Sequence, residues 1–379
     1  MTFSFLIYNY FPYGGQQRDF LRISSEILAR GHSVDVYTMS WTGEVPRGMN
    51  IIEVPKRGYS RLSRYRNFTQ WIQSNLVSKT DGPIIGFNKM PGLDIYFAAD
   101  PCFLTKARTQ RGAYYKYTSR YRHFRDYELS VFGPLSKTQV LVLTPQQRDD
   151  FEHCYPGCQS RLHLLPAGIS EDRKVLVRDR KRGQHIRDAL NLKDDTQLIL
   201  QLGSGFKVKG VDRSLKAIGS LNQILKSNCH YLLIGEDRAN KFVRLSKQLG
   251  ISDKVTIWLG RDDVPQILQA ADLLLHPAYS ESAGYVLLEA TIAGLPVLTT
   301  ASCGYAFHIE RAASGEVCSS PFSQQDLNVR LKHMLEQLHQ SSWSANGLQY
   351  GHDEDLYSMA NFTADHIESF SNAERAEAL

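Results

Sequence analysis

The chain has 379 residues, 42% of them apolar, with 44 Lys and Arg against 39 Asp and Glu. That length exceeds what one hydrophobic core usually supports, so two domains are expected, and no run of about 18 apolar residues offers a membrane span. The modest net charge of +5 hides an asymmetry: residues 1–170 carry 21 Lys and Arg against 13 Asp and Glu, the remainder 23 against 26.

The first half opens with an apolar strand over 3–8, then the loop Phe11-Pro12-Tyr13-Gly14-Gly15 and a helix running to about Arg30, where Gly31 suits a C-cap. Further strands are predicted at 33–37, 51–54, 83–87, 95–98 and 140–143. The opening residues have no basic stretch or small-residue cleavage site of the secretory kind, so the protein is expected in the cytoplasm. Gly14-Gly15 lets the chain turn and a ligand approach the backbone, or makes a tight turn and nothing more. Asp19 either contacts a hydroxyl of a bound ligand or supplies charge to the first turn of the helix. Asp100 follows the 95–98 strand, where ligands gather at carboxyl ends.

Between Phe103 and Tyr127 lie seven cations, Lys106, Arg108, Arg111, Lys116, Arg120, Arg122 and Arg125, with five Tyr, two Phe and one acid, Asp126. Such interleaving suits an anionic membrane surface, with rings at the headgroup level and cations on lipid phosphates. It would also suit nucleic acid, or a solvated helix whose tyrosines pack on its own domain. An Arg- and Lys-rich link, 171–182, contains Arg173 and separates the halves.

A second series of strands follows at 197–202, 231–234, 255–259, 273–276 and 297–299, with helices near 211–226, 238–249, 263–271 and 284–293. Strands alternating with helices in both halves predict parallel, doubly wound sheets. The loop Gly203-Ser-Gly-Phe-Lys-Val-Lys-Gly210 lacks the third glycine of a dinucleotide fingerprint and the Lys-Ser/Thr of an ATP phosphate loop. It presents Lys207 and Lys209, either of which could neutralise a leaving diphosphate. Arg261 stands just beyond the 255–259 strand.

The stretch from His276 to Leu298 places Glu281 and Glu289 eight residues apart around a helix start near Ala283 or Gly284. The first N–H groups of a helix have no internal acceptor and its dipole adds about half a positive charge, so this turn suits a diphosphate. Glycine at 284 keeps that approach open. One carboxylate could accept sugar hydroxyls and the other ribose hydroxyls. Two glutamates at such spacing are, by themselves, more often surface charges.

With its flanking His-Pro and its Ala-Gly-Leu-Pro-Val turn, the stretch resembles the E-x7-E motif of the large retaining family of GT-B glycosyltransferases that use nucleotide-sugars. The resemblance extends over the chain to the subfamily that adds the first outer-core hexose to the inner-core heptose of bacterial lipopolysaccharide. It is carried by Tyr10-Phe-Pro-Tyr-Gly-Gly, Gly86-Phe-Asn-Lys-Met-Pro-Gly-Leu-Asp, Thr118-Ser-Arg-Tyr-Arg-His, Lys209-Gly-Val-Asp-Arg-Ser and Cys303-Gly-Tyr-Ala.

The resemblance implies an α/β GT-B fold, two Rossmann-like domains facing across a cleft. These are a 1–168 acceptor and membrane domain, a 169–355 nucleotide-sugar domain, and a 356–379 helix packing back on the first. It implies retaining transfer of a hexose, glucose above all, from a UDP-sugar to a phosphorylated heptose, in an enzyme peripherally bound to anionic lipids at the cytoplasmic face of the inner membrane. Gly15, Asp19, Arg173, Lys207, Lys209, Arg261, Glu281, Ala283, Gly284 and Glu289 become donor contacts, with Lys209 on the diphosphate. Where many relatives carry a catalytic histidine near Asp100, this chain has the acid, so acceptor contact is the implied role. Without an obvious nucleophile, retention implies front-face attack in which the leaving phosphate deprotonates the acceptor.

No paired acids suggest a metal site, and His153, Cys154 and Cys158 form half of a zinc set, so no metal cofactor is expected. The six cysteines have no disulfide spacing and read as reduced thiols. The alternative enzyme reading is another UDP-hexose or an N-acetylhexosamine donor. A nucleic-acid-binding protein is the remote alternative; it leaves Glu281 and Glu289 without a use.

Overall fold

The computed structural model describes residues 1–12, 14–77 and 82–377; Tyr13 of the first glycine loop and the last two residues of the C-terminal segment lie outside them. Two compact units result, Met1–Gly168 with Tyr357–Leu379, and Ile169–Leu356.

Unit one contains β1 (Thr2–Leu6), β2 (Ser33–Thr38), β3 (Met49–Glu53), β4 (Ile84–Gly86), β5 (Ile95–Ala98), β6 (Gln139–Val142) and β7 (Leu162–Leu164). They form one sheet in the order β3-β2-β1-β4-β5-β6-β7, every pair parallel. Helices enter on side-chain caps where the sequence supplies them. Ser60 and Ser63 make a reciprocal capping box before Arg61–Ile72, and Thr144 caps Pro145–Cys154, whose proline lies at the first turn. The Met359–Glu377 helix belongs to this unit and is tied to the Gly15–Ala29 helix through Arg30, which reaches Asp365 at 2.6 Å and Glu368 at 2.9 Å.

Unit two contains β8 (Gln197–Leu202), β9 (Cys229–Ile234), β10 (Val255–Trp258), β11 (Leu273–His276), β12 (Val297–Thr300) and β13 (Gly315–Cys318), in the parallel order β10-β9-β8-β11-β12-β13. All six residues of β8 are buried, as are all four of β5, β11 and β12. Such runs follow from helices covering both faces of the sheet.

Two features depart from the sequence expectations. The short strands β7 and β13 were not anticipated, because His163 and Glu316 interrupt their apolar pattern and neighbouring strands, rather than local propensity, define them. The helix expected over 211–226 is two, Val211–Gly219 and Gln223–Ser227, separated where Asn222 caps the second.

In both sheets the strand order reverses beside the first strand, between β1 and β4 and between β8 and β11. Loops leaving adjacent strands diverge there, opening a crevice at the carboxyl ends that suits a ligand. The loops after β8 and β11 are those carrying Lys209 and Glu281. No helix among the described residues is long and apolar enough to cross a membrane.

Candidate active site

The loop after β8 turns through left-handed backbone at Gly203 (φ 123°), Gly205 (79°) and Gly210 (73°). A side chain at Gly210 would also stand 2.0 Å from the Pro277 carbonyl, so glycine there permits the two loops to touch. Their backbones are joined where Tyr279 N–H donates to the Val208 carbonyl at 2.8 Å. Arg213 clamps the same junction. Its guanidinium lies 3.6 Å from the Tyr279 ring and 3.5 Å from the Phe322 ring, and it donates to the Pro277 and Ala278 carbonyls. Below the loop, Gln201 donates from Nε2 to the Lys209 carbonyl at 2.7 Å and accepts from Ser214 and Tyr231 hydroxyls.

This scaffold delivers Lys209 to Glu281, and the two form an ion pair. His276, wholly buried at the end of β11, meets the same Glu281 Oε2 at 3.2 Å from Nε2. The geometry calls for the Nε2–H tautomer, since an ionised carboxylate only accepts. Burial by itself would push the Glu281 acid up. The His276 hydrogen bond and the Lys209 ammonium outweigh it and hold the carboxyl at about 2. Its backbone is fixed as well, by Ser302 and by Gly304.

Gly284 caps the Tyr285–Ile292 helix with φ 96°, and a Cβ there would approach Glu281 Cγ to 3.2 Å. Glycine is therefore required by conformation and by its neighbour at once. Ala283 is buried, its carbonyl accepting from Tyr305 N–H at 2.7 Å. The positive end of the helix thus adjoins the Lys209–Glu281 pair. Because the helix begins only at Tyr285, the span between the glutamates is half extended loop, with Glu281 bridged to Cys303, and half helix.

Glu289 lies in the second turn and lines a cavity of about 150 Å³ together with Arg173, Arg182 and Gln269. Glu281 does not line it. Unit two therefore holds two clusters, Lys209 with Glu281 and Glu289 with Arg173. Arg261 stands outside both, exposed, forked onto Asp263 at 2.7 and 2.6 Å and lying over Trp258. Lys207 is exposed.

Residues 183–349 match the family of group 1 glycosyl transferases. Lipopolysaccharide glucosyltransferase WaaG of Escherichia coli (strain K12) is 44% identical over 368 residues, 97% of this chain and 98% of that protein. The chain belongs to the group 1 glycosyltransferases. The crystal structure of WaaG, a glycosyltransferase involved in lipopolysaccharide biosynthesis, matches with a TM-score of 0.90 over 96% of this chain and 99% of that one, at 44% identity. The two parallel sheets are accordingly the two Rossmann-like domains of the GT-B fold. Sucrose-phosphate synthase from Thermosynechococcus elongatus shares that fold at 16% identity, with a TM-score of 0.78 over 98% of this chain and 99% of that one.

In unit one of this glycosyltransferase, Gly15 opens the Gly15–Ala29 helix, exposed and with nothing within 4 Å of where a Cβ would stand. Asp19 corrects the expectation of a first-turn charge. It is the fifth helical residue, 2% exposed, with Arg22 at 3.9 Å. Asp100 is exposed, two residues beyond β5, and lines a second cavity together with Lys106, Arg111 and Arg120. Arg108, Lys116, Arg122 and Arg125 are exposed and do not line it, and Arg125 is paired with Asp126. Among the described residues no three His, Cys, Asp or Glu side chains cluster as a metal site would require.

Sequence reasoning missed His276, Gln201, Arg213 and Tyr279 as members of the site. One signal was available: Gln201 is a polar residue inside an otherwise apolar strand, and a buried amide needs partners. Arg213 stands in the Lys209-Gly-Val-Asp-Arg-Ser motif, but its clamping role exists only because Phe322 and Tyr279 converge on it.

Proposed function

We propose that this glycosyltransferase moves glucose from UDP-glucose to a heptose of the lipopolysaccharide inner core, with retention at the anomeric carbon. The observation that carries the reading is the Lys209–Glu281–His276 cluster beside the start of the Tyr285–Ile292 helix. It offers a cation and helix N–H groups to a departing diphosphate, and a fully ionised carboxylate to sugar hydroxyls, on adjacent loops at the sheet's switch point. Likeness to the Escherichia coli lipopolysaccharide glucosyltransferase over nearly the whole chain supports glucose and the lipopolysaccharide core.

In this reading Lys209 neutralises the leaving UDP, with Lys207 at the edge of the same loop. Glu281, Ala283 and Gly284 hold the sugar and diphosphate. Glu289 and Arg173 hold the ribose, and Arg261 contacts the nucleotide. Asp100, in unit one, serves the acceptor. The acceptor hydroxyl attacks from the face the phosphate leaves, and a phosphate oxygen takes its proton, so bond making and proton transfer balance without an enzymic nucleophile. Lys209 and the helix start supply the positive charge a divalent ion would bring, and no metal is required. Exposed Tyr114 and Tyr117 with Arg108, Lys116 and Arg122 provide the surface that meets anionic lipids at the cytoplasmic face of the inner membrane.

Thermal unfolding with a panel of UDP-sugars tests the donor. A ligand at about 100 times its Kd stabilises by about 2.7 kcal/mol, a rise of about 5–10 °C for units of this size. UDP-glucose should give the largest rise. A larger one with UDP-galactose or a UDP-N-acetylhexosamine would assign that donor instead.

A further inference from the structure

In unit one the basic aromatic segment borders an open cavity of about 310 Å³, lined by the exposed cations Arg61, Lys106, Arg111 and Arg120, by Lys89 and by one acid, Asp100. Lys89 is already compensated. Its ammonium donates to the Pro101 carbonyl at 2.9 Å and pairs with Glu128, which is wholly buried. Among the described residues no carboxylate pairs with the other four cations.

Three of those four lie over rings, Arg61 over Tyr65 at 5.4 Å, Arg111 over Tyr115 at 5.4 Å and Arg120 over Phe124 at 5.6 Å. A guanidinium held by its face keeps N–H donors at its edge for an oxyanion. The cations are also mounted on a braced scaffold. Glu128, on the Ser119–Phe132 helix with Arg120, accepts from Phe103 N–H at 2.7 Å and Leu104 N–H at 3.0 Å, at the start of the Phe103–Gln110 helix that carries Lys106. The same carboxylate accepts from the Tyr155 hydroxyl at 2.8 Å. Tyr8 and Tyr65, stacked at 4.0 Å, form one wall.

A flat lipid surface would be met by cations pointing outward from a convex helix. These four instead surround a concave space of small-ligand size, with aromatic rings for the apolar face of a sugar. Excess positive charge in such a place calls for a polyanion. We propose that this cavity is an acceptor subsite that takes a phosphate group carried on the acceptor sugar, Asp100 accepting one of that sugar's hydroxyls. The assignment rests on the proposed transfer to an inner-core sugar. It also divides the basic segment: Lys106, Arg111 and Arg120, joined by Arg61, serve acceptor recognition, and Arg108, Lys116, Arg122 and Arg125 face outward.

The test measures binding by calorimetry, without donor, of lipid-free core oligosaccharide with its phosphate intact or removed by phosphatase. The parent should bind the intact form at least about 30-fold more tightly, as expected when two or three charge-assisted bonds are at stake. R61Q/R111Q/R120Q should reduce that preference to within about threefold while binding UDP as the parent does. R108Q/R122Q should keep the full preference. Arg111→Gln alone, at an exposed position that cannot endanger folding, should reduce it about fivefold.

Equal binding of both oligosaccharides by the parent overturns the proposal, and so does a full preference retained in the triple variant. If the triple variant keeps the preference but no longer binds phosphatidylglycerol vesicles, these cations belong to a lipid headgroup and the proposal is again overturned. A parent that binds the phosphorylated oligosaccharide strongly but transfers no glucose to it sinks the proposed transfer and leaves the cavity assignment standing.

Discussion

Replacing Glu281 by glutamine should destabilise the protein as well as inactivate it. A loop carboxylate read from sequence alone would be expected to matter little for stability. In the fold, however, it is the shared partner of Lys209 and of a wholly buried His276. A carboxyl held at about 2 against an ordinary 4.5 favours the ionised form by about 3.4 kcal/mol in the folded state. The sign follows from the depressed value: this stability is present above pH 4.5 and is lost as pH falls toward 2. By the same linkage it should shrink to about 1.4 kcal/mol at pH 3. Because Lys209 is 20% exposed, water replaces part of the lost partner, and about 2 kcal/mol is the expected cost of Glu281→Gln at pH 7. That corresponds to a fall in Tm of about 4–8 °C. Thermal unfolding of parent and variant from pH 7 to pH 3 is the assay, and the gap between the curves should narrow with acid. Turnover, followed by UDP release, should fall at least about 100-fold. Curves that coincide at pH 7, or a gap that stays constant with pH, would refute the idea that this triad stores stability in the ionised carboxylate.

Lys209→Ala should reduce turnover about 100- to 1000-fold, and Lys207→Ala much less, because the loop delivers only the former to Glu281; the reverse order moves the phosphate contact to Lys207. Glu289→Ala should weaken UDP binding by about 1.5–3 kcal/mol in calorimetry, and an unchanged affinity removes it from the ribose site. Burial, and secondarily the nearby arginines Arg66 and Arg311, hold His123 and His308 down at about 4 from 6.5. Both are neutral in the fold, so stability should be full above pH 6.5 and decline as pH falls toward 4, by about 2 kcal/mol for each at pH 5. Denaturant midpoints equal at pH 7 and pH 5 would contradict this.

Several elements were legible because their signal is local. A fully apolar run such as 197–202 can only be satisfied between two covering layers, and the alternation of such runs with helices predicts parallel sheets whatever the details. Gly284 carries a local signal of this kind, at a helix start, whereas Glu281 and Lys209 stand out only through the resemblance to the glycosyltransferase family, since two spaced glutamates or a lysine-bearing loop are by themselves more often surface charges. The brief β7 and β13 were not legible, since three or four residues carry no periodicity of their own and are held by the neighbours they pair with.

What the sequence alone determined was therefore the two-unit α/β architecture, the family, and the residue types available to a donor site. Only the tertiary structure decided their company. It put Asp19 one turn inside its helix and joined Lys209 and His276 on one carboxylate. It placed Glu289 in a cavity that Glu281 does not line, and it set three cations of the basic segment around a second, open cavity that the other four do not line. The physical reason is common to these cases: partners lie tens of residues away in sequence, 72 between Lys209 and Glu281. A charge's solvation and hydrogen bonds, and with them its chemistry, depend on which distant loop or helix the sheet brings against it.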